Sequence, residues 1–374
     1  MSMAAGRAAS ADGPIRILHV FPTFDVGGAQ MRFVALAAAM DRRFEHIVIP
    51  IDGRRAAAAL LPEDANVAVE DGPAGGSLPS RLMAYRRRIL ARAPDVLVTY
   101  NWGAIEWALA NALAGVPHIH IEDGFGPEET KRQIPRRVWA RRLALRRSTV
   151  VVPSLTLRAL ALGRWRLSER RVRYIPNGVA PRERAPSAYA PADDGAKIVW
   201  AGAMRREKNL PRLLRSFAAV GARASLLLIG DGPERASAEA EAQRLSLGER
   251  ARFLGYRADA RDIIEQCHIF ALSSDTEQMP LVVLEAMDAG LAIASVDVGD
   301  VANMVASENR PYISDVSEEG LAGALGKLVA DPELRAAIGA KNRARARSEF
   351  RLDRMIAAYE ALFQRAASAE ADKI

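Results

Sequence analysis

Cysteine is nearly absent from this chain. Cys267 is the only one in 374 residues, which excludes an intrachain disulfide and any cysteine-rich metal site. Its apolar neighbours mark it as a core thiol. No stretch of 18 apolar residues occurs, so the sequence predicts no membrane-crossing helix. Aromatic residues make up 6% of the chain, and no recognised nucleic-acid module interleaves them with basic residues, which argues against a nucleic-acid partner. No Asp-x-Asp triplet occurs either, removing a common carboxylate clamp for a divalent metal. The opening residues, MSMAAGRAASADG, lack an apolar segment of the secretory kind and read as a floppy leader, with the cytoplasm as the expected compartment.

What is present is a globular composition, 49% hydrophobic and 26% charged, long enough for two domains that each bury a core. The net charge of +7 is unevenly spread. Residues 1–184 hold 28 Lys and Arg against 17 Asp and Glu, an excess of +11, while the rest hold 24 against 28, or −4. A basic first half and an acidic second half point to two units with different partners.

Short apolar runs alternate with helical stretches throughout. In the first half, strands are read at 15–20, 46–51, 66–70, 95–100, 117–121, 149–153 and 172–175, with helices near 30–40, 81–92, 103–114 and onward from 155. In the second half, strands are read at 198–201, 225–229, 252–254, 268–272 and 291–296, with a helix from Pro211 and another through Glu285. After Val301 the strand–helix units run out, Asp331-Pro opens a helix, and 342–368 reads as one Arg- and Ala-rich helix. The rhythm predicts an α/β chain with parallel sheets covered by helices. Boundaries are placed at 1–180 for a first domain, 181–197 for a Pro- and Ala-rich linker, 198–350 for a second domain and 351–374 for a closing helix.

The run 268–300, HIFALSSDTEQMPLVVLEAMDAGLAIASVDVGD, is a strand–turn–helix–strand unit. Ser273, Ser274, Asp275 and Thr276 are each candidates to cap its helix, and Pro280 suits the first turn. Glu277 falls in the loop at the C-terminal edge of the strand, where open α/β sheets bind ligands, and Glu285 lies about a turn into the helix. A carboxylate there can accept hydrogen bonds from vicinal hydroxyls of a sugar or ribose. Backbone N–H groups of Gln278, Met279 and Leu281, beside a helix start, suit an anion such as a diphosphate.

The pattern S-x-x-E-x-x-P-L-x-x-x-E-A-M-x-A-G resembles the signature of the retaining GT-B glycosyltransferases of family 4, the group 1 glycosyltransferases, with Gln278 standing where the family usually has Gly. Other stretches resemble the same family. Gly27 and Gly28 of GGAQ match its N-terminal glycine loop, VPS and IPNGV match the end of its first domain, and Met355–Phe363 matches its closing segment. Gly202 followed by Arg205, Arg206 and Lys208 is similar to the family's G-R-x-x-x-x-K clamp, except that Ala203 replaces the Arg after the glycine. Arg205 or Arg206 is then the substitute, and Arg206 is carried as the donor-site candidate. Tyr256 and Arg257 sit where the family contacts a nucleobase. A His after the fifth strand is common in the family, making His120 the catalytic candidate there, with His118, Asp123 and Asn101 behind it. A metal site at these histidines is not favoured, because no further ligands fall at a recognisable spacing.

The resemblance implies two facing Rossmann-like domains and sugar transfer from a UDP- or GDP-sugar, held between the domains, to a hydroxyl, on a surface polysaccharide or lipid-linked oligosaccharide. It implies a hexosyltransferase that needs no metal or resident cofactor, the nucleotide sugar being a co-substrate. It implies retention without a covalent intermediate: Lys208 and an arginine offset the departing diphosphate, Glu285 holds the ribose, and Glu277 orients the sugar. Gly27, Gly28, Gly202, Gln278, Met279, Pro280 and Leu281 complete the donor-binding set. Residues 131–147, KRQIPRRVWARRLALRR, carry eight basic residues and no acid. They read equally as a solvated helix or as a face for an anionic surface, either phospholipid headgroups on the inner side of a membrane or a diphosphate-linked lipid acceptor. Two other readings stay open. One is a non-catalytic GT-B homologue that only binds nucleotide sugar or polysaccharide, which Ala203 and Gln278 keep alive. The other is a GT-B nucleotide-sugar epimerase or phosphorylase. With no Asp-x-Asp clamp, turnover is expected to persist in EDTA; strict dependence on added Mg²⁺ would contradict this reading.

Overall fold

The computed structural model describes residues 13–125, 127–129, 133–182, 195–221 and 223–371. The leader and most of the stretch read as a linker lie outside them. The chain divides into two units, residues 1–176 with 354–374, and residues 177–353.

The first unit alternates strands and helices in chain order: β1 (Ile15–Phe21), α1 (Gly28–Ala39), β2 (Phe44–Pro50), β3 (Val67–Val69), α2 (Leu78–Arg92), β4 (Val96–Tyr100), α3 (Ile105–Asn111), β5 (His118–Ile121), α4 (Pro135–Ala144), β6 (Thr149–Val152), α5 (Leu155–Gly163) and β7 (Val172–Tyr174). The strands form one parallel sheet in the order β3-β2-β1-β4-β5-β6-β7. Central strands of such a sheet are covered on both faces, which is why β1 and β4 are near-continuous apolar runs. On one face, Leu18, Val20 and Leu97 pack with Tyr85 and Ile89 of α2 and Trp107 of α3. On the other, His19 meets Phe33 of α1 and, from the closing helix, Phe363.

The second unit continues with β8 (Ala196–Ala201), α6 (Leu210–Ala218), β9 (Ala224–Ile229), α7 (Arg235–Arg244), β10 (Ala251–Gly255), α8 (Ala260–Ile264), β11 (Ile269–Leu272), α9 (Leu281–Asp288), β12 (Ala292–Val296), α10 (Val301–Met304), β13 (Ile313–Ser314), α11 (Glu318–Ala330) and α12 (Pro332–Glu349); α13 (Leu352–Ala371) closes the chain. Its sheet is also parallel, in the order β10-β9-β8-β11-β12-β13. Cys267 is buried, donates Sγ–H to the Ile263 carbonyl at 3.2 Å, and burial pushes its thiol up to about 12.

Two expectations are corrected. The strand–helix units do not end after Val301, since β13 adds an edge strand and α11 follows it. A two-residue strand carries no period for a sequence to display. The closing basic stretch is two helices, not one. Phe350 is buried and its carbonyl accepts from Val179 N–H at 2.8 Å, while Arg351 bridges Val179, so the backbone leaves the helical path there.

Close packing of α12 on α9 depends on Gly339, where a Cβ would lie 1.9 Å from the Gly290 carbonyl oxygen. Gly323 of α11 is exposed, and a Cβ there meets nothing within 4 Å. The two glycines therefore respond oppositely to alanine. Gly323→Ala should raise stability by about 0.5–1 kcal/mol through helix propensity. Gly339→Ala should lower it by roughly 1–3 kcal/mol through overpacking. Thermal melts that shift in the same direction for both would refute this packing.

Candidate active site

The strand order of the second sheet reverses between β8 and β11, so the loops leaving these two strands diverge and make an opening at their C-terminal ends. After β8 the chain passes Gly202 and Ala203 and makes a single 3₁₀ turn, Arg206–Lys208. After β11 it runs through Ser273–Pro280 before α9 begins. The Lys208 ammonium lies 2.6 Å from Glu277 Oε1, joining the two loops across the reversal.

Several hydrogen bonds fix this pair. Ser274 Oγ donates to the same Glu277 Oε1 at 2.8 Å, and Ser273 Oγ donates to the Lys208 carbonyl at 2.8 Å. The Asp275 N–H donates to the Glu207 carbonyl at 2.8 Å. Arg212 of α6 spans the same gap, donating to the Ser273 carbonyl and pairing with Asp275, both at 2.8 Å. Both bonds to Glu277 fall on Oε1, so Oε2 is without a partner among the described residues. An ammonium has three donors, and one is engaged by Glu277.

The loop itself is held by its carbonyls. The Gln278 carbonyl accepts from Asp300 N–H at 2.8 Å, and the Met279 carbonyl accepts from Asn177 Nδ2 at 2.8 Å. Gly299, at φ +60°, passes so close that a Cβ would sit 2.5 Å from the Glu277 carbonyl oxygen. Met279 and Pro280 are buried and Pro280 precedes the first residue of α9, Leu281, which is half-buried. The four polar residues 273–276 do not cap α9, because they lie too far upstream; Ser273, Ser274 and Asp275 brace the Lys208–Glu277 pair and its two loops instead.

Glu285, in the second turn of α9, is half-buried. Burial raises its carboxyl above the usual carboxylate range, and the nearby Arg261 and Arg182 offset this in part. Those two arginines are engaged elsewhere, Arg261 with Asp288 at 2.8 Å and Arg182 with Asp262 and Glu265. Arg206 and Arg205 are both exposed, and neither forms an ion pair among the described residues. Tyr256 is 72% exposed beyond β10, and Arg257 pairs with its neighbour Asp259 at 2.6 Å.

The remaining expected residues belong to the first unit. Gly27 precedes α1 and Gly28 is its first residue, in the loop leaving β1, which borders that sheet's own reversal at β1 and β4. Arg32 of α1 is buried against Asp123, with one contact at 2.8 Å, and Asn101 Oδ1 accepts from Asp123 N–H at 2.7 Å. His120 is fully buried in β5; its Nδ1 is 2.8 Å from Thr99 Oγ1 and its Nε2 3.6 Å from Glu122. His118 shares Thr99 and meets Ser148 Oγ at 2.7 Å, and burial lowers it to about 3. Among the described residues, no three His, Cys, Asp or Glu side chains gather closely enough to hold a metal ion.

Asn177 and Arg212, which support the loop before α9, are not among the expected site residues. Asn177 stands within IPNGV, where the family resemblance marks only the end of the first domain. Arg212 follows a helix start and had no distinguishing pattern.

Residues 26–183 match the family described as Glycosyltransferase Family 4, and residues 181–345 match Glycosyl transferases group 1. The chain is 30% identical over 220 residues to the lipopolysaccharide core biosynthesis glycosyltransferase LpsD of Rhizobium meliloti, covering 58% of this chain and 62% of that one. It is 25% identical over 178 residues to the N-acetyl-alpha-D-glucosaminyl L-malate synthase of Bacillus anthracis, covering 47% of each. The matched region is thus about half the length of these relatives. Anabaena Alr3699/HepE in complex with UDP and glucose superposes with a TM-score of 0.78 at 19% identity, over 94% of this chain and 99% of that one. WaaG, a glycosyltransferase involved in lipopolysaccharide biosynthesis, superposes with 0.69 at 16% identity, over 95% and 99%.

Because Glu285 has its pKa raised by burial, its charged form costs folding stability above that value, and the cost disappears as pH falls below the unfolded carboxyl range. Glu285→Gln should therefore leave the melting temperature at neutral pH unchanged or higher, and flatten its rise on acidification. A clear loss of stability at neutral pH would show that the carboxylate serves the fold.

Proposed function

Because the chain belongs to the group 1, family 4 glycosyltransferases and has their two Rossmann-like units of GT-B type, we propose that it transfers a hexose from a UDP- or GDP-sugar to a hydroxyl acceptor of a surface polysaccharide or lipid-linked oligosaccharide. The observation that carries this reading is the Lys208–Glu277 pair at the reversal of the second sheet, with one glutamate oxygen and two ammonium protons left for a ligand. A Rhizobium relative in lipopolysaccharide core synthesis supports the acceptor class, and UDP in a structural neighbour supports the donor class.

In this mechanism Lys208 turns from Glu277 toward the diphosphate and offsets the negative charge that builds as the sugar–oxygen bond breaks. Arg206 or Arg205, both exposed beside it, supplies the second cation that Ala203 does not. Glu277 keeps its bond to Ser274 and presents Oε2 to the sugar, opposing positive charge at the anomeric carbon. Glu285 accepts from the ribose hydroxyls. The acceptor oxygen bonds to the anomeric carbon on the face the diphosphate leaves, and its proton passes to the departing diphosphate oxygen, so the configuration is retained without a covalent intermediate. No protein-bound metal or cofactor is assigned a role.

A thermal-shift screen against UDP-, GDP-, ADP- and CDP-sugars identifies the donor, since only a ligand of the native state raises the melting temperature. With that donor, Lys208→Ala should lower kcat/KM by about 10²–10³-fold, corresponding to roughly 3–4 kcal/mol. An unchanged kcat/KM removes Lys208 from the mechanism, and stabilisation by none of the donors removes the reading itself.

A further inference from the structure

Helix α9 ends on a buried acid that the helix itself disfavours. Asp288 is its last residue and is 2% exposed, at the terminus where the helix dipole opposes a carboxylate. Three donors compensate the charge: Arg261 of α8 at 2.8 Å and the Arg182 N–H at 3.2 Å on Oδ2, and Arg347 of α12 at 3.0 Å on Oδ1. Arg261 also donates to the Ala180 carbonyl and Arg347 to the Arg182 carbonyl, each at 2.6 Å.

Glu285 lies one turn before Asp288, so the two acids are neighbours on the surface of α9. Among the described residues no side chain bonds to the Glu285 carboxylate. Of the two arginines on Asp288, Arg261 is the one whose charge also reaches Glu285. Arg182, whose charge reaches it too, is held by Asp262 and Glu265. Arg261 thus stands near two carboxylates of one helix and is bonded to one of them. Freed from Asp288, its guanidinium would turn to Glu285, because a charged acceptor outcompetes a neutral one. That pairing would occupy the oxygens that ribose hydroxyls need.

We propose that Asp288 is a positioning residue for Glu285: by holding Arg261, it keeps the Glu285 carboxylate unpaired and open to vicinal hydroxyls. The inference rests on the ribose-binding role proposed for Glu285 and deepens it, and Asp288 itself touches no ligand. If Asp288 served only to tie α9 to residues 180–182, its removal would lower stability and leave ribose preference unchanged.

The test titrates the full chain calorimetrically with UDP and GDP and with their 2′,3′-dideoxy counterparts. The parent chain should bind the ribonucleotide of its preferred base about tenfold or more tightly than the dideoxy form, as befits hydrogen bonds to a charged group. In Asp288→Asn that preference should fall to about twofold or less, through weaker binding of the ribonucleotide. The double variant Asp288→Asn, Arg261→Gln should restore it, since no guanidinium is left to claim Glu285. Arg347→Gln cuts another tie to residue 182 but leaves Arg261 on Asp288, and should keep the preference. Melting temperatures are recorded for every variant, because a tie alone would rank them by stability and not by ribose preference. Should Asp288→Asn fail to fold, Asp288→Asn with Arg347→Gln takes its place, leaving Arg261 as the arginine without its acid. Undiminished preference in Asp288→Asn, its loss in Arg347→Gln, or no recovery in the double variant would each overturn the proposal. Absence of any preference in the parent chain removes the ribose role of Glu285, and binding of neither nucleotide removes the donor-site reading; the proposal falls with either.

Discussion

Loops at the edge of a parallel sheet crowd one another unless the strand order reverses, and where it does, two of them part and leave backbone and side chains open to a ligand. In the second unit this happens between β8 and β11. Lys208 and Glu277 are 69 positions apart in sequence, yet that reversal brings them within 2.6 Å. The pair is not a large source of stability. Its side chains are 23% and 12% exposed, and at such sites the attraction of the charges is largely offset by their desolvation. What the pair does is hold an ammonium and a carboxylate in fixed positions with unused valence, supported by Ser273, Ser274 and Arg212 from both loops. An anion that replaced one partner of Lys208 would not require the loops to be ordered first.

The first unit uses its charges differently. Arg141 is enclosed by Trp102, Phe125 and Trp165, with guanidinium carbon to ring centroid distances of 5.1, 5.3 and 5.1 Å, and it anchors Glu122 and Glu129 from the segment after β5. Arg32 does the same for Asp123. Burying such ions is costly, and apolar residues of equal volume would often serve stability as well. The pairs instead fix the path of the chain leaving β5. Within 131–147 the arginines therefore divide between Arg137 and Arg141, which order the segment after β5, and others that remain at the surface.

This division was not legible in the sequence. Eight basic residues in 131–147 predict a basic helix, but not which of them turn inward, because the acids that neutralise Arg137 and Arg141 precede the run and belong to a different structural element. The alternating strands and helices were legible, since buried parallel strands must be apolar runs and seven of them precede residue 176. β13 was not, being too short to show a pattern. At the site, Glu277, Glu285 and Lys208 stood out because their spacing matches a family signature. The serines before Glu277 were seen and given the wrong physical task, as helix caps, because a cap and a side-chain brace use the same residue types. His120 illustrates a further limit. Its position at the end of a strand was readable, while its complete burial between Thr99 and Glu122 depends on neighbours from β4 and the following loop.

Glu277 and Glu285 are eight positions apart and occupy opposite environments, and the contrast bears on what each is for. Glu277 has an ammonium and a hydroxyl on one oxygen, so its charge is compensated before any ligand arrives. Glu285 is half-buried, and the arginines nearest to it are committed to Asp288, Asp262 and Glu265, so its charged form is held at a cost to the fold. A half-buried carboxylate whose ionisation burial disfavours is the kind of residue that a ligand would explain better than the fold does, since a glutamine of the same shape avoids the desolvation. Ribose hydroxyls are donors that a carboxylate accepts better than an amide does, and they bring no charge that would need its own counter-ion. Glu285 thus suits a neutral polyol and Glu277 with Lys208 suits a charged, reacting centre. An activated sugar joined through a diphosphate to a nucleoside presents both.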